Sequence, residues 1–306
     1  MVPYALRRLG QALFILLGIT LVTYLLLFLL PADPARQIAG RSATPETVAS
    51  IRAQLGLDLP FWRQYLRYLG NLAQGDLGRS YIQRTEVTAL ILSRLPATLQ
   101  LMAGAILVEL LIGLSAGILA AAKRGRALDR ALMVASFAAV SAPQFVVGIL
   151  LLYVFAVQLG WFPIGGYGTP AHLVLPALTL GLLGGGWYAR MTRSSMVDVL
   201  RQDFITTARA KGAGNARILF VHALRNAALP LVAMIGLDIG IFMSGAVVVE
   251  SVFGWPGIGQ LAWQAIQLVD IPVIVGVTTV AACFIVMGNL LADLVAPLVD
   301  PRIRLR

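Results

Sequence analysis

The sequence is poor in the residues that bind metals and form disulfide bonds. It contains a single cysteine, Cys283, and two histidines, His172 and His222, in 306 residues. An intrachain disulfide needs a second cysteine, and a zinc or nickel site needs a cluster of histidine or cysteine ligands. We therefore expect no disulfide, no bound metal and a structural role for both histidines. A metal carried inside a chelate stays compatible with this composition.

Lysine is almost missing as well. The two lysines, Lys123 and Lys211, each follow an alanine, whereas the phosphate-binding sequence GxxxxGK[ST] requires a glycine directly before its lysine. The chain therefore has no P-loop and cannot bind ATP by that route. It also shows no set of nucleophile or metal residues for a membrane-embedded enzyme, so we expect no catalytic residues and no cofactor in this chain.

Charged residues are scarce, and long apolar runs take their place. Only 12% of the residues are charged and 58% are apolar, while about a quarter of the residues in a soluble domain are charged. The formal net charge of +10 is not gathered into one patch, because the basic residues cluster in short connectors between apolar runs. This distribution argues against a nucleic-acid-binding domain and is typical of a membrane protein with several spans.

Six apolar segments are long enough to cross a bilayer. The first, residues 9–30, has no charged residue, and at ~1.5 Å per residue it spans a hydrocarbon core of ~30 Å as an uncleaved helix. The other five are residues 97–122, 131–157, 173–189, 228–249 and 272–296. The basic cluster at residues 123–130 follows the second segment and indicates the cytoplasmic side. We predict an all-α polytopic membrane protein with six transmembrane helices and both termini in the cytoplasm.

Residues 31–96 form a long polar segment between the first two spans. Thr44, Pro45 and Glu46 make a helix start, with a capping residue, a first-turn proline and a first-turn acid. A second amphipathic piece follows Pro60, and its aromatic residues suit a membrane interface. We predict a helical extracytoplasmic loop, which is either a platform for a delivering protein or a structural cap over the pore.

Residues 199–230 form the longest polar and basic passage between two strongly apolar segments. Gly212 and Gly214 interrupt two helical stretches, where glycine tolerates the positive φ of a tight turn. Pro230 begins the next apolar run, a favourable place for a first helical turn. The pattern predicts a short helix, a turn and a second helix, exposed between two spans and suited to being bound by a protein outside the membrane.

The sequence TTARAKGAG at residues 206–214 resembles the EAA loop of ABC-importer permeases, the membrane subunits that dock onto separate ATPases. With HALRNAALP, GAVVVESVFGWPGIG and the terminal DPRIR, the chain is similar nearly end to end to the dipeptide/oligopeptide/nickel branch of that family. Thr206 and Thr207 stand where the EAA pattern has glutamate and its first alanine, and Arg225 stands where a Leu-Pro pair would end it. Gly212, at the turn, is retained.

The resemblance implies a type I ABC-importer permease fold and half of a translocation pore for short peptides, with glutathione and nickel chelates as alternatives within the branch. It implies that residues 190–227 form a cytoplasmic loop coupled to the ATPases. The coupling residues implied are Thr206, Thr207, Ala208, Arg209, Ala210, Lys211, Gly212, Ala213 and Gly214. The implied partners are a second homologous permease, two ATPase subunits that bind ATP and Mg, and an extracytoplasmic substrate-binding protein, all at the bacterial cytoplasmic (inner) membrane.

Two acidic residues inside predicted spans are candidates for the pore. Glu109 shares a helical stripe with Gly113 and Gly117, and small residues on a stripe are typical of a helix–helix contact. Glu109 is therefore either a buried hydrogen-bonding residue or a pore residue. Asp238 lies ~200° around its helix from Gly236 and is predicted to face the pore or a partner subunit. If these acids carried protons or ions by themselves, the chain would instead be a self-sufficient secondary transporter.

Overall fold

The computed structural model describes residues 2–29, 33–40 and 43–299, so the terminal DPRIR segment lies outside the described residues. The described part of the chain is helical and holds no β-strand, only an isolated antiparallel bridge between Arg79 and Glu86. The all-α prediction is confirmed. The helices are α1 Val2–Leu29, α2 Pro34–Ala39, α3 Pro45–Leu55, α4 Phe61–Ala73, α5 Val87–Ala122, α6 Ala127–Ser141, α7 Gln144–Leu151 with a π-helical extension Leu152–Gln158, α8 Pro170–Val199, α9 Asp203–Ala210, α10 Asn215–Arg217 with a π-helical extension Ile218–Ala223, α11 Leu224–Ala227, α12 Leu229–Gly245, α13 Val247–Val252, α14 Ile258–Leu268 and α15 Ile271–Val299.

Helix α5 is longer than the predicted second span and takes over part of the predicted loop 31–96. It starts at Val87 rather than at residue 97, and it continues through Pro96. Val87 and Ile91 are buried against the start of α15, around Gly276. This tertiary burial stabilises the part of the helix before the proline, whose missing N–H removes only one backbone hydrogen bond. The loop between the first two predicted spans therefore ends at residue 86 and not at residue 96.

The predicted third span, residues 131–157, is not one straight helix. Helices α6 and α7 meet at an angle of 104°, at a break that contains Ala142 and Pro143. Proline disfavours the helical conformation of the residue before it, and Ala142 is extended with ψ 131°. Helix α6 alone has 15 residues and at ~1.5 Å per residue is too short to cross a ~30 Å core. The continuous helix is therefore corrected to a bent pair.

Other helices also run past the boundaries that hydropathy suggests. Helix α1 begins at Val2, and α8 continues beyond residue 189 to Val199. The first part of the predicted cytoplasmic loop 190–227 is therefore helical. The predicted fifth span, residues 228–249, is divided between α12 and α13, which meet at Ala246. Helices extend in this way because backbone hydrogen bonding does not stop where the apolar residues stop, provided that side chains on one face stay packed.

Three of these helices, α1, α5 and α15, contain a stretch long and apolar enough to cross a membrane. Two bent pairs, α6 with α7 and α10–α11 with α12, bring the number to five within the described ranges if each pair is one span. Helix α8 falls short of the same measure, since glycines and arginines dilute its apolar residues. A polytopic helical membrane protein is consistent with these helices, while the number of six spans stays a prediction.

Helices α5 and α8 pack together through glycine. A Cβ atom on Gly113 would lie 2.3 Å from the Cβ atom of Tyr188, and one on Gly117 would lie 2.7 Å from the carbonyl oxygen of Ala189. Helix backbones approach this closely only where side chains are absent. The predicted stripe of Glu109 and its two glycines is therefore confirmed as a helix contact, and it faces α8.

Helices α12 and α15 form a second close pair. Gly240 faces Ile285, and a Cβ atom on Gly288 would lie 2.9 Å from the carbonyl oxygen of Gly236. The two glycines of α12 thus face α15, and Asp238 between them is turned toward other helices. The membrane helices divide into two packed groups, one built around α5 and α8 and the other around α12 and α15.

The region between α1 and α5 is helical, as predicted, and is attached to the membrane helices. The cap of α3 is confirmed, because the backbone N–H of Thr47 donates to the Thr44 hydroxyl at 3.3 Å. Helix α4 contacts α15 through the hydroxyl groups of Tyr68 and Thr279, which are 2.7 Å apart. This hydrogen bond places α4 beside the membrane helices rather than far from them.

A buried carboxylate joins helices α5, α13 and α14. Glu250 is completely buried and accepts hydrogen bonds from the Thr98 hydroxyl at 2.9 Å and from the backbone N–H of Gln260 at 2.8 Å. The indole N–H of Trp255 donates to the carbonyl of Ala97 at 2.8 Å. The GAVVVESVFGWPGIG sequence therefore builds a rigid turn against α5. The role of Glu250 is not visible in the sequence, because its partners come from other helices.

Candidate functional site

Residues 199–230 form the helix–turn–helix element that the sequence predicts. Helix α9 is followed by a tight turn in which Gly212 has φ +83°, and α10 begins three residues later. The N–H of Gly212 donates to the carbonyl of Arg209 at 2.9 Å, and the N–H of Ala213 donates to the carbonyl of Ala208 at 3.1 Å. A glycine with positive φ directly after a helix is a common way to end it, so this turn depends on its glycine.

The turn faces away from the rest of the protein. Each of the nine predicted coupling residues, 206–214, is exposed or half-buried. The side chains of Arg209 and Lys211 are exposed, so both positive charges are available to a partner. Ile205 and Ile218, by contrast, are 0% and 2% exposed and hold the two helices in place. The element is thus an exposed turn that a buried isoleucine on each side anchors to the protein.

A small apolar core joins this element to the membrane helices. Met196 and Val197 of α8, Ile118 of α5, and Ala223 and Ala227 from the second half of the element belong to one cluster. Close-packed side chains transmit displacement because the interior has little free volume. A force applied to the exposed turn is therefore carried to α5 and α8.

The element also continues directly into α12. The helical segment that ends at Ala227 and helix α12 meet at an angle of 56°, and Pro230 lies in the first turn of α12, as the sequence predicts. Only Ala228 separates the two helices. The element is therefore connected to both packed groups of membrane helices.

An ion pair fixes the start of α6, and the connector between α5 and α6, to α8. The guanidinium group of Arg193 donates two hydrogen bonds to the carboxylate of Asp129, at 2.5 and 2.8 Å. Asp129 is only 2% exposed and also accepts from the backbone N–H of Gly125 at 2.8 Å. A two-pronged pair of this kind holds a fixed geometry. This ion pair is not visible in the sequence, because Asp129 and Arg193 lie on different helices.

The two candidate pore acids meet in the interior of the helix bundle. Glu109 of α5 is 1% exposed, and its carboxyl group interacts with that of Asp238 on α12. Asp238 is half-buried and accepts a hydrogen bond from the hydroxyl of Tyr188 on α8. The three side chains form a polar joint between the two helix groups. An acid inside a membrane must face protein or water, and in this chain both acids contact polar groups of neighbouring helices.

Glu109 has little freedom within this joint. Its Oε2 atom is buried and has no hydrogen-bond partner among the described residues. A Cβ atom on Gly184 would lie 1.6 Å from its Oε1 atom, so only glycine on α8 leaves room for the carboxyl group. The sequence predicts each acid separately, but their pairing depends on how three helices are rotated. Exposure of Glu109 and Asp238 to a pore stays a prediction.

The described residues include no group of three or more histidine, cysteine or acidic side chains placed to hold a metal ion. The Nδ1 atom of His172 lies 2.7 Å from the hydroxyl of Thr169, which agrees with a structural histidine. Cys283 is half-buried in α15. The absence of a cofactor from this chain stays a prediction.

Two family descriptions match nearly the whole chain. "Binding-prot-dependent transport system membrane comp, N-term" matches residues 1–102, and "Binding-protein-dependent transport system inner membrane component" matches residues 113–305. The chain belongs to the binding-protein-dependent transport permeases. This permease is a membrane subunit of an ABC importer, as the motifs indicate, and its family is an inner-membrane family that works with binding proteins.

Curated relatives extend over the full length of the permease. It is 40% identical, over an alignment of 333 positions, to the di/tripeptide transport system permease protein DppB of Pseudomonas aeruginosa (strain UCBPP-PA14), with 99% of both chains covered. It is also 40% identical over 304 residues to the glutathione transport system permease protein GsiC of Escherichia coli O6:H1, again with 99% of both chains covered. These relatives confirm the predicted family.

A solved structure supports the fold. The permease matches a chain from inward-facing conformations of the MetNI methionine ABC transporter with a TM-score of 0.57 and 20% sequence identity. The match covers 69% of the permease and 96% of that chain. At this identity the likeness concerns the fold alone, and it confirms the predicted type I ABC-importer permease fold.

Proposed function

We propose that the permease forms half of a translocation pore that imports short peptides. The observation that carries this proposal is the 40% identity, over 99% of both chains, to a Pseudomonas protein named as a di/tripeptide transport permease. Glutathione is the second candidate substrate, because an equally similar relative carries that name. Nickel chelates are a third candidate and rest on the motif resemblance alone.

A second homologous permease completes the pore, and two ATPase subunits drive it. ATP and Mg bind to those subunits, since this chain has no GxxxxGK[ST] sequence. An extracytoplasmic binding protein delivers the substrate, which the family description supports. Basic residues cluster at 123–130 and within 190–227, which supports a cytoplasmic position for these connectors and for both termini.

The exposed turn between α9 and α10 is the coupling point. The apolar faces of Ala208 and Ala210 seat in a groove of an ATPase, while Arg209 and Lys211 meet acidic side chains there. When the ATPases close on ATP, the turn moves with them. The apolar core around Met196 carries the displacement to α5 and α8, and α12 follows through its direct connection. The helices then tilt as rigid bodies and open the pore alternately to each side.

Reconstitution tests this division between pore and motor. Proteoliposomes that hold both permeases and both ATPases are expected to take up a radiolabelled dipeptide when ATP and the loaded binding protein are supplied. Omission of the ATPases is expected to abolish uptake against a gradient. Uptake that persists without them and follows a proton gradient would instead support a secondary transporter with Glu109 and Asp238 as ion sites.

The ligand carried by the cognate binding protein decides among the three substrates. Mass spectrometry of the ligand released from the purified binding protein is expected to show short peptides. Glutathione alone, or a nickel complex, would reassign the substrate and leave the role as an importer subunit unchanged.

The Asp238→Asn variant tests whether the charge at this position serves transport. Asparagine keeps an acceptor for the Tyr188 hydroxyl at nearly the same volume, while it removes the charge and replaces one carboxylate oxygen by an NH2 donor. For a pore-lining acid we expect substrate-stimulated ATP hydrolysis in proteoliposomes to fall about tenfold, the effect of ~1.4 kcal/mol, at unchanged basal hydrolysis. Tyr188→Phe is the matched control, because it removes the donor and keeps the charge. Full stimulation in Asp238→Asn would exclude a pore role for this acid.

A further inference from the structure

A cavity of about 770 Å³ lies between the end of α1, helices α3 and α4, and the start of α15. The loop before α5 closes one side of it. The cavity is separate from the coupling turn and from the Glu109–Asp238 joint, and neither proposal above uses it. Its volume is within the range of small-molecule sites in proteins.

One wall of the cavity is apolar and belongs to the membrane helices. Tyr24 and Phe28 come from the last turns of α1, and Val275 comes from the first turns of α15. The rings of Tyr24 and Tyr68 stack with their centroids 5.5 Å apart. Aromatic side chains at the end of a membrane helix are typical of the membrane–water interface. This wall is suited to an acyl chain.

The other wall is positively charged. It holds four arginines and two aspartates, namely Arg52, Arg67, Arg79, Arg84, Asp33 and Asp76. Arg52 pairs with Asp33 at 2.5 Å, and the Nε atom of Arg79 donates to the carbonyl of Arg84 at 2.8 Å. Within the described ranges, neither Arg67 nor Arg84 forms an ion pair with a carboxylate. Among the described residues, Arg67, Arg79 and Arg84 therefore line the cavity with three guanidinium groups that have no carboxylate partner.

Helix α4 contacts α1 and carries Arg67, whose side chain is exposed and lines the cavity. The hydroxyl of Tyr65 donates at 3.1 Å to the carbonyl of Leu17, near the middle of α1. Trp62 and Leu66 of α4 point outward and are 55% and 58% exposed. A helix that shows large apolar side chains outward, next to a membrane helix, lies in the interface. The interface is the level of the lipid phosphates, so an exposed arginine there is placed to contact a phosphate group.

We propose that this cavity binds an anionic phospholipid. Arg67 and Arg84 hold the headgroup phosphate, because a planar guanidinium group donates paired hydrogen bonds to phosphate oxygens. An acyl chain lies against Tyr24, Phe28 and Val275. The bound lipid bridges α1, α4 and α15 and so stabilises the attachment of the 34–84 region to the membrane helices.

The apolar wall favours a lipid over a small anion. A peptide carboxylate or free phosphate also matches the arginines, but neither would cover the aromatic wall that continues onto the exposed apolar surface of α1. The assignment does not depend on which substrate the importer carries, so its failure and that of the proposed function are distinguishable.

The test uses the complete transporter, purified in detergent and stripped of lipid. Thermal unfolding and native mass spectrometry are recorded with dioleoyl-phosphatidylglycerol, dioleoyl-phosphatidylcholine, inorganic phosphate or a dipeptide added. We expect the phosphatidylglycerol to form an adduct and to raise Tm by about 3 °C, a shift typical of modest ligand binding. The other three additions are expected to leave Tm nearly unchanged. Equal protection by phosphate or by the dipeptide would overturn the proposal in favour of a small-anion or substrate site.

Variants locate the effect in the cavity. The double variant Arg67→Ala/Arg84→Ala is expected to lose the adduct and the Tm shift. Arg63→Ala is the matched control on the same helix, since Arg63 stacks over Trp62 at 5.0 Å and does not line the cavity. If the double variant cannot be purified, Arg67→Gln, which keeps much of the side-chain length, is compared in its place. An undiminished phosphatidylglycerol shift in the cavity variants would refute the proposal.

Discussion

The Gly113→Ala permease is expected to unfold at a clearly lower temperature than the wild type and to lose most of its transport. The added Cβ atom would lie 2.3 Å from the Cβ atom of Tyr188 and 3.0 Å from the carbonyl oxygen of Gly185. No side-chain rotation relieves these contacts, so α5 and α8 must separate. Overpacking of this kind costs ~1–3 kcal/mol. The same separation pulls Tyr188 away from Asp238 and so disturbs the polar joint between the two helix groups.

Thermal unfolding of the purified importer and dipeptide uptake in proteoliposomes measure this effect. Gly104→Ala is the matched control, because Gly104 lies on the same helix and faces α8 at a looser contact. Its added Cβ atom would lie 3.1 Å from the Cβ atom of Ala177, and a shift of the two helices by a few tenths of an ångström relieves that contact. The control is expected to stay within ~0.5 kcal/mol of the wild type. Equal losses in both variants would show that the tight glycine contact is not the cause.

The Gly212→Leu permease is expected to insert and fold normally and to lose ATP-driven uptake almost completely. Gly212 has φ +83°, and a side chain in this left-handed region costs ~1–2 kcal/mol. Its Cβ position has no heavy atom within 4 Å, so leucine would not clash with the rest of the chain. The change is therefore confined to the shape and surface of the exposed turn. Uptake, substrate-stimulated ATP hydrolysis and copurification of the ATPases report its effect.

Gly214→Ala is the control for Gly212→Leu. It removes a glycine from the same turn without placing a side chain at a positive φ. Gly214 lies two residues away at φ −69° and also has open space at its Cβ position, so alanine is accommodated without strain. We expect this variant to transport normally and Gly212→Ala to lie between the two. Normal uptake by Gly212→Leu would show that the turn is not the coupling point. A loss in Gly214→Ala as large as in Gly212→Leu would show that surface bulk, not backbone conformation, controls docking.

Local features of the fold are predictable from the sequence. The Thr44 cap, the helix break at Gly212 and the place of Pro230 in the first turn of α12 each depend on residues within a few positions of one another. The glycine stripe after Glu109 is predictable for the same reason, because the helical period places those residues on one face. The exposed turn of the candidate site could therefore be located before any tertiary contact was known.

Boundaries and partners were harder to predict. Hydropathy placed the start of the second span at residue 97, because Pro96 and Arg94 interrupt the apolar run, yet burial against α15 extends helix α5 back to Val87. The bend at Pro143 was missed because residues on both sides of it are equally apolar. In both places packing between distant segments outweighs the local signal.

By itself the sequence determined that this is a helical membrane protein without a P-loop and with an exposed basic turn. Composition and local backbone preference depend only on neighbouring residues, so no fold was needed for these conclusions. Only the tertiary structure decided that Glu109, Tyr188 and Asp238 meet, that Glu250 accepts hydrogen bonds from α5 and α14, and that arginines line a cavity with one apolar wall. The rotation of each helix about its axis selects those partners, and close glycine contacts between helices set that rotation.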